Sequence, residues 1–91
     1  MIYITSDPLN PQEITDTVCK SSNGAVVTFL GVVRDSSEGR NVLHLEYEAY
    51  QPMAESMLHQ IAKEIRERWA IEDVSIAHRV GKLGIGEISL V

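Results

Sequence analysis

Cysteine is nearly missing from this chain, and that alone removes several classes of protein. A single thiol, Cys19, allows no intrachain disulfide and no structural zinc site built from several thiolates. Aromatic residues make up only 5% of the sequence, so a base-stacking surface for single-stranded nucleic acid has few side chains to draw on. No apolar run approaches the roughly 20 residues that a membrane-spanning helix requires. The opening MIYITSDP lacks the basic and apolar regions of a secretory signal, which leads us to expect a protein that stays in the cytoplasm. Positive charge is in short supply too: 8 Lys and Arg stand against 13 Asp and Glu, a net charge of −5. That balance argues against nucleic acid and anionic membranes as partners, including the reading of a ferredoxin-like RNA binder. An anionic small ligand would need a local basic pocket.

What is present suits one small α+β domain. At 91 residues, a chain buries roughly 60–65% of its unfolded surface, enough for a modest core. Ile2 to Thr5 reads as a strand ended by Ser6, Asp7 and Pro8. Asn10 reads as an N-cap and Pro11 as the first helical residue, with Glu13 in the first turn and Ile14, Val18 and Cys19 facing inward. Cys19 is expected to be a small buried hydrophobe, because no basic residue stands in an activating pattern beside it.

Ala25 to Val33, AVVTFLGVV, is apolar on both faces and rich in β-branched residues, which predicts a central strand with a bulge at Gly31. Asp35 to Arg40 then forms a polar loop. Val42 to Tyr50 alternates, with Leu43, Leu45, Tyr47 and Ala49 on one face and His44, Glu46, Glu48 and Tyr50 on the other. The histidine and carboxylates on that second face could suggest metal or acid–base chemistry, but a solvated or interface face produces the same pattern. Pro52 opens a long helix to about Trp69, with Met53, Met57, Ile61, Ile65 and Trp69 at every fourth position, Ala54, Leu58 and Ala62 filling out a broad apolar stripe, and His59 on the outside. Val74 to Val80 and Ile88 to Val91 complete the strands. GKLGIGE between them shows neither P-loop nor dinucleotide spacing and reads as a glycine-rich turn. The pattern predicts helices on one face of a mainly antiparallel sheet, with ferredoxin-like topology as the first guess.

Candidate chemistry is sparse. Arg34 ends a run of strand formers, where a guanidinium can act as an anion clamp or as a charge that discourages edge pairing. Arg40, beside the loop tip, reads as a solubilising charge. His78 shares parity with Val74, Ile76 and Val80, which favours a satisfied core histidine. Arg79 falls on the opposite parity, and Lys82 reads as exposed. No Ser-His-Asp, Cys-His or paired-carboxylate constellation is evident.

Four segments taken together, GAVVTFLGVVR from Gly24, LEYEAYQPMAE from Leu45, a helix ending in RW, and HRVGKLGIGE from His78, resemble the catalytic subunit family of molybdopterin synthase. The resemblance runs from Gly24 onward and implies an α/β-hammerhead fold. It also implies sulfur transfer from the C-terminal thiocarboxylate of a small ubiquitin-like subunit to cyclic pyranopterin monophosphate, giving the dithiolene of molybdopterin. Large subunits of the family pair into a homodimer with a carrier at each end, a heterotetramer, and the chemistry calls for no cofactor. In the FxGxVR motif the terminal arginine contributes to substrate binding, here Arg34, with Val32 and Val33 in the same segment and Phe29 lining the pocket. The family continues for roughly another 50 residues, within ordinary domain size, and its catalytic lysines lie in that part. The 91 residues are therefore expected to be a single domain, the N-terminal two-thirds of such a subunit, inactive alone. The alternative is a non-catalytic scaffold or module for dimerisation or sulfur-carrier capture.

Overall fold

The fold is taken from a computed structural model, which describes residues 1–37, 40–41, 44–47 and 51–91. The described elements run β1 (Ile2–Thr5), α1 (Pro11–Asp16), β2 (Gly31–Val32), β3 (Ser36–Ser37), β4 (Arg40–Asn41), β5 (His44–Tyr47), α2 (Gln51–Trp69), β6 (Ile76–Arg79), β7 (Gly81–Gly84) and β8 (Ile88–Leu90). A four-stranded sheet has the order β1-β6-β8-β2, and β3 with β4 and β5 with β7 form two antiparallel ladders. The architecture is α+β, with two helices and a mostly antiparallel set of strands. Ferredoxin-like topology is excluded, because β1 runs parallel to β6 and β5 pairs outside the main sheet.

Helix starts follow local chemistry. Asn10 caps α1, its Oδ1 accepting the Gln12 and Glu13 amides at 3.0 and 3.3 Å, and Pro11 sits where its missing donor costs nothing. The helix closes sooner than expected. Thr17 turns its hydroxyl onto the Ile14 carbonyl at 2.6 Å, and the turn that follows leaves Cys19 exposed, which overturns its expected burial. The long helix α2 lies within one residue of its predicted bounds and stops where Ala70 takes a left-handed φ of +53°.

The helix buries only one side of the broad stripe predicted. Ala62 is fully buried, with Ala54, Leu58 and Ile65 half-buried around it, and α2 packs against β1. Met53, Met57, Ile61 and Trp69 are exposed. Apolar residues cover so much of the α2 surface that periodicity alone does not say which side of the broad stripe is buried.

The strand predicted across Ala25 to Val33 is confined to Gly31–Val32, and it lies at the sheet edge. Residues 25–30 are exposed, Val27 at 91% and Phe29 at 70%. The bulge at Gly31 is present as a register shift between Gly31 and Val32. The predicted 35–40 loop holds one strand of the β3–β4 ladder and opens the other. GKLGIGE is strand through Gly84, pairing with β5 in the register Leu45 to Leu83, and only the residues after it form the turn. Two glycines weaken strand propensity, but the ladder with β5 outweighs it. Val42, Leu43, Glu48, Ala49 and Tyr50, and with them much of the alternation read over that strand, lie outside the described residues. The buried apolar core among the described residues comprises Ile14, Val33, Ala62, Ala77 and Leu83.

Candidate functional site

Among the described residues, the turn from β7 into β8 is held by several backbone and side-chain bonds. The Gly86 amide donates to the Val33 carbonyl at 2.7 Å, and the Val33 amide donates to the Glu87 carbonyl at 3.0 Å. Val33 is 2% exposed, so both its backbone groups and its side chain are committed to the scaffold. Its neighbour Arg34 is exposed. A cation that leaves a residue pinned in this way has a fixed origin for its side chain, which is what a positioned anion-binding group requires.

Gly31 lies at a close approach of β2 to β8. A Cβ added there would lie 3.2 Å from Leu90 Cβ and 3.4 Å from Ser89 Oγ. The buried Ser89 hydroxyl donates to the Gly31 carbonyl at 3.3 Å, satisfying both groups at the bulge.

A second guanidinium is anchored to the same turn. Arg79 pairs through Nη1 with Glu87 Oε2, and the other carboxylate oxygen, Oε1, accepts the Gly84 amide at 2.9 Å. The Gly84 amide, and after it Arg79, hold the Glu87 carboxyl below its ordinary range. The Arg79 side chain is 14% exposed, and its Nε is buried with no partner among the described residues. His78 places Nδ1 2.8 Å from the Arg79 carbonyl oxygen and is half-buried. Parity therefore works against the expected core histidine: Ala77 is the fully buried neighbour, and Arg79 shares its parity.

Of the residues expected to bind a ligand, the structure places Val33 in the core, while Val32 and Arg34 are exposed beside it. Phe29 lines an apolar cavity of about 360 Å³ with Val27, Leu58, Ile61 and Leu90. Lys82 is exposed on β7, in register with Glu46. The residue that the sequence reading passed over is Glu87. Its signal was an acid just after a Gly-Ile-Gly turn, eight positions from an arginine that shares parity with a small core residue. Among the described residues, no group of three or more His, Cys, Asp and Glu is placed to hold a metal ion, and no helix is long and apolar enough to cross a membrane.

A second polar cluster has a structural role. Asp73 accepts from Lys20 Nζ at 2.5 Å and from Asn23 Nδ2 at 2.9 Å, tying the segment after α1 to the one before β6. Those bonds, Lys20 first, hold the Asp73 carboxyl below its usual range.

Comparison with known proteins decides what this scaffold is. Residues 4–91 match the family model described as MoaE protein. The chain belongs to the MoaE family. The molybdopterin synthase catalytic subunit of Bacillus subtilis is 47% identical over 88 residues, covering 97% of this chain and 56% of the relative. The catalytic subunit from Homo sapiens is 35% identical over 91 residues, covering 100% of this chain and 48% of the relative. Among solved structures, molybdopterin synthase from Staphylococcus aureus superimposes with a TM-score of 0.90 at 41% identity, covering 97% of this chain and 64% of that one. The chain thus spans about half the length of the curated relatives it matches. In this chain the backbone of Val33, just before Arg34, is bonded to the turn that the Arg79–Glu87 pair holds.

Proposed function

We propose that this chain supplies the substrate-binding part of a molybdopterin synthase catalytic subunit, acting in molybdenum cofactor biosynthesis in the cytoplasm. The reaction transfers sulfur from the C-terminal thiocarboxylate of a small ubiquitin-like carrier subunit to cyclic pyranopterin monophosphate, forming the molybdopterin dithiolene. The observation that carries this reading is the family match over residues 4–91, with Arg34 issuing from the doubly bonded Val33.

The substrate is a phosphate-bearing pterin, and charge develops on oxygen as the thiocarboxylate carbonyl is attacked. Both demand cations held in place before the reaction, since fixed charges need no reorganisation as it proceeds. Arg34 binds the anionic precursor through its planar fork of donors. Val32 and Val33 shape the segment that presents it, and Phe29 contributes apolar surface farther along the same stretch. Arg79 positions the turn through Glu87. The catalytic lysines that the resemblance assigns to the family's later segment would complete the site, in a homodimer that carries one small subunit at each end.

A second reading follows from the chain spanning 56% of the Bacillus subtilis relative: a module that captures the carrier or dimerises without turning over. One experiment separates the two. The chain, joined to the remaining segment of the Bacillus subtilis relative, is given thiocarboxylated carrier and cyclic pyranopterin monophosphate, with dithiolene formation and carrier binding measured in parallel. Product formation establishes the enzyme, binding without product establishes the module, and neither overturns both readings for this chain.

A further inference from the structure

Strand β2 ends its ladder on β8 at Val32, and Val33 and Arg34 lie past that end. There the backbone is bonded to the β7–β8 turn, through the Gly86 amide and the Glu87 carbonyl. Glu87 takes part with its whole length. Its carbonyl accepts the Val33 amide at 3.0 Å, and its amide donates to the Gly84 carbonyl at 3.1 Å. Its carboxylate accepts the Gly84 amide on one oxygen and Arg79 on the other.

Each partner of that carboxylate ties a different part of the sheet to the corner. Gly84 ends β7, opposite His44 of β5, and Arg79 ends β6, opposite Thr5 of β1. The Arg79 side chain is 14% exposed, and a guanidinium so far from water is costly to keep without a counter-charge. The space beside Gly84 is taken up by the same group, since a Cβ there would lie 3.0 Å from Glu87 Oε1. Gly86, at a φ of +82°, turns the chain so that its amide and the Glu87 carbonyl both meet Val33.

We infer that Glu87 is a positioning residue for precursor binding: its carboxylate, held by Arg79 and the Gly84 amide, fixes the corner from which the Arg34 side chain is presented. Glu87 touches no substrate in this role. It acts through the backbone bonds to the residue before Arg34, and a misplacement of a binding group by about 1 Å can cost on the order of 100-fold. The inference rests on the proposed reading of Arg34 as the group that binds the anionic precursor, and adds to it what holds that group in place.

The test uses the chain joined to the remaining segment of the Bacillus subtilis relative, with thiocarboxylated carrier in excess. Glu87→Gln offers one acceptor oxygen to two donors, so either Arg79 or the Gly84 amide loses its partner. KM for cyclic pyranopterin monophosphate is expected to rise about 5- to 20-fold, with kcat kept within about twofold. Glu87→Asp keeps the charge on a shorter stem and should fall between parent and Glu87→Gln. Gly84→Ala presses on the same oxygen and should move KM in the same direction. Ile14→Val thins the core at α1 and should leave KM unchanged, which separates positioning from a general loss of stability. In an Arg34→Ala background Glu87→Gln should add nothing to KM, because both changes act on one contact. Hydrogen exchange at the Val33 amide, followed by NMR, should quicken about tenfold or more in Glu87→Gln and not in Ile14→Val.

Effects that multiply in the double variant, or an unmoved Val33 amide, overturn the inference. Quickened exchange at Val33 with an unchanged KM overturns it too, while leaving the reading of Arg34 to its own substitution. Unchanged kinetics in Arg34→Ala overturn that reading, and the inference with it.

Discussion

Arg79 and Glu87, eight residues apart, meet on the inner side of the β7–β8 turn, where one carboxylate serves both the guanidinium and the Gly84 amide. The pair converts a glycine-rich connection into a fixed corner. From that corner two backbone bonds reach Val33, so the geometry of the Arg34 segment depends on a carboxylate far away in sequence.

That dependence has a pH signature. The Glu87 carboxyl is held below its ordinary value of 4.5 and that of Asp73 below 3.8. A carboxyl depressed in the folded state contributes stability that is fully present above its unfolded pKa and lost as pH falls through the folded one. Stability is therefore expected to be flat near neutrality and to fall on acidification below about pH 4.5. Urea midpoints measured from pH 7 to pH 3 check this. Glu87→Gln should lower the midpoint at pH 7 and flatten the acid limb, and Asp73→Asn should flatten it further. Parallel curves for parent and Glu87→Gln would show that the pair carries no linkage.

Two glycines should respond to substitution for different reasons. At Gly31 a Cβ meets Leu90 Cβ at 3.2 Å, a modest crowding that the entropy gained by removing a glycine, about 0.4–1 kcal/mol, can offset. Gly31→Ala is thus expected to be nearly neutral, whereas the branched side chain of Gly31→Val should cost about 1–3 kcal/mol by forcing β2 off β8. At Gly86 there is open space but a φ of +82°, so Gly86→Ala should cost about 1–2 kcal/mol through backbone strain alone. Equilibrium unfolding of the three variants distinguishes crowding from strain.

Local signals in the sequence translated well and long-range ones poorly. The Asn10–Pro11 cap, the Gly31 bulge and the bounds of α2 each depend on a few adjacent residues and could be read from them. The choice between the Met53–Met57–Ile61 side and the Ala54–Leu58–Ala62 side of the broad stripe depends on what packs against the helix, which periodicity does not encode. The run AVVTFL announced burial without naming its cover, so a central strand was expected where an exposed stretch stands. The β7 strand was hidden because its glycines lower local propensity while its register comes from β5. For the site, Arg34 was legible as a charge ending a strand. Glu87 was not, because its partner is fixed by a turn geometry invisible to spacing alone.

The core makes a sharper energetic prediction. Leu83 is fully buried on β7 while its neighbour Lys82 is exposed, so the two sample opposite sides of one strand. Leu83→Ala should cost about 2–5 kcal/mol, the transfer of the lost methyls plus the cavity left behind. Lys82→Ala should stay within about 0.5 kcal/mol. Denaturant titration of both variants checks the alternation, and equal effects would place β7 in a different register on β5.

Arg34→Ala is the decisive substitution for the proposed chemistry. The side chain is exposed, so its removal should disturb folding far less than it disturbs use of the precursor. A charge-assisted bond to an anionic substrate is worth about 1.5–3 kcal/mol, which corresponds to roughly a 10- to 150-fold loss in kcat/KM for the pterin precursor. If the residue chiefly holds the ground-state phosphate, the loss appears in KM with kcat retained. Arg34→Lys keeps the charge but loses the planar fork, and should fall between parent and alanine variant. The measurement is made in the chain joined to the remaining segment of the Bacillus subtilis relative, with thiocarboxylated carrier in excess. Unchanged kinetics in Arg34→Ala would assign this arginine to the sheet edge instead, as a charge that discourages pairing with other chains.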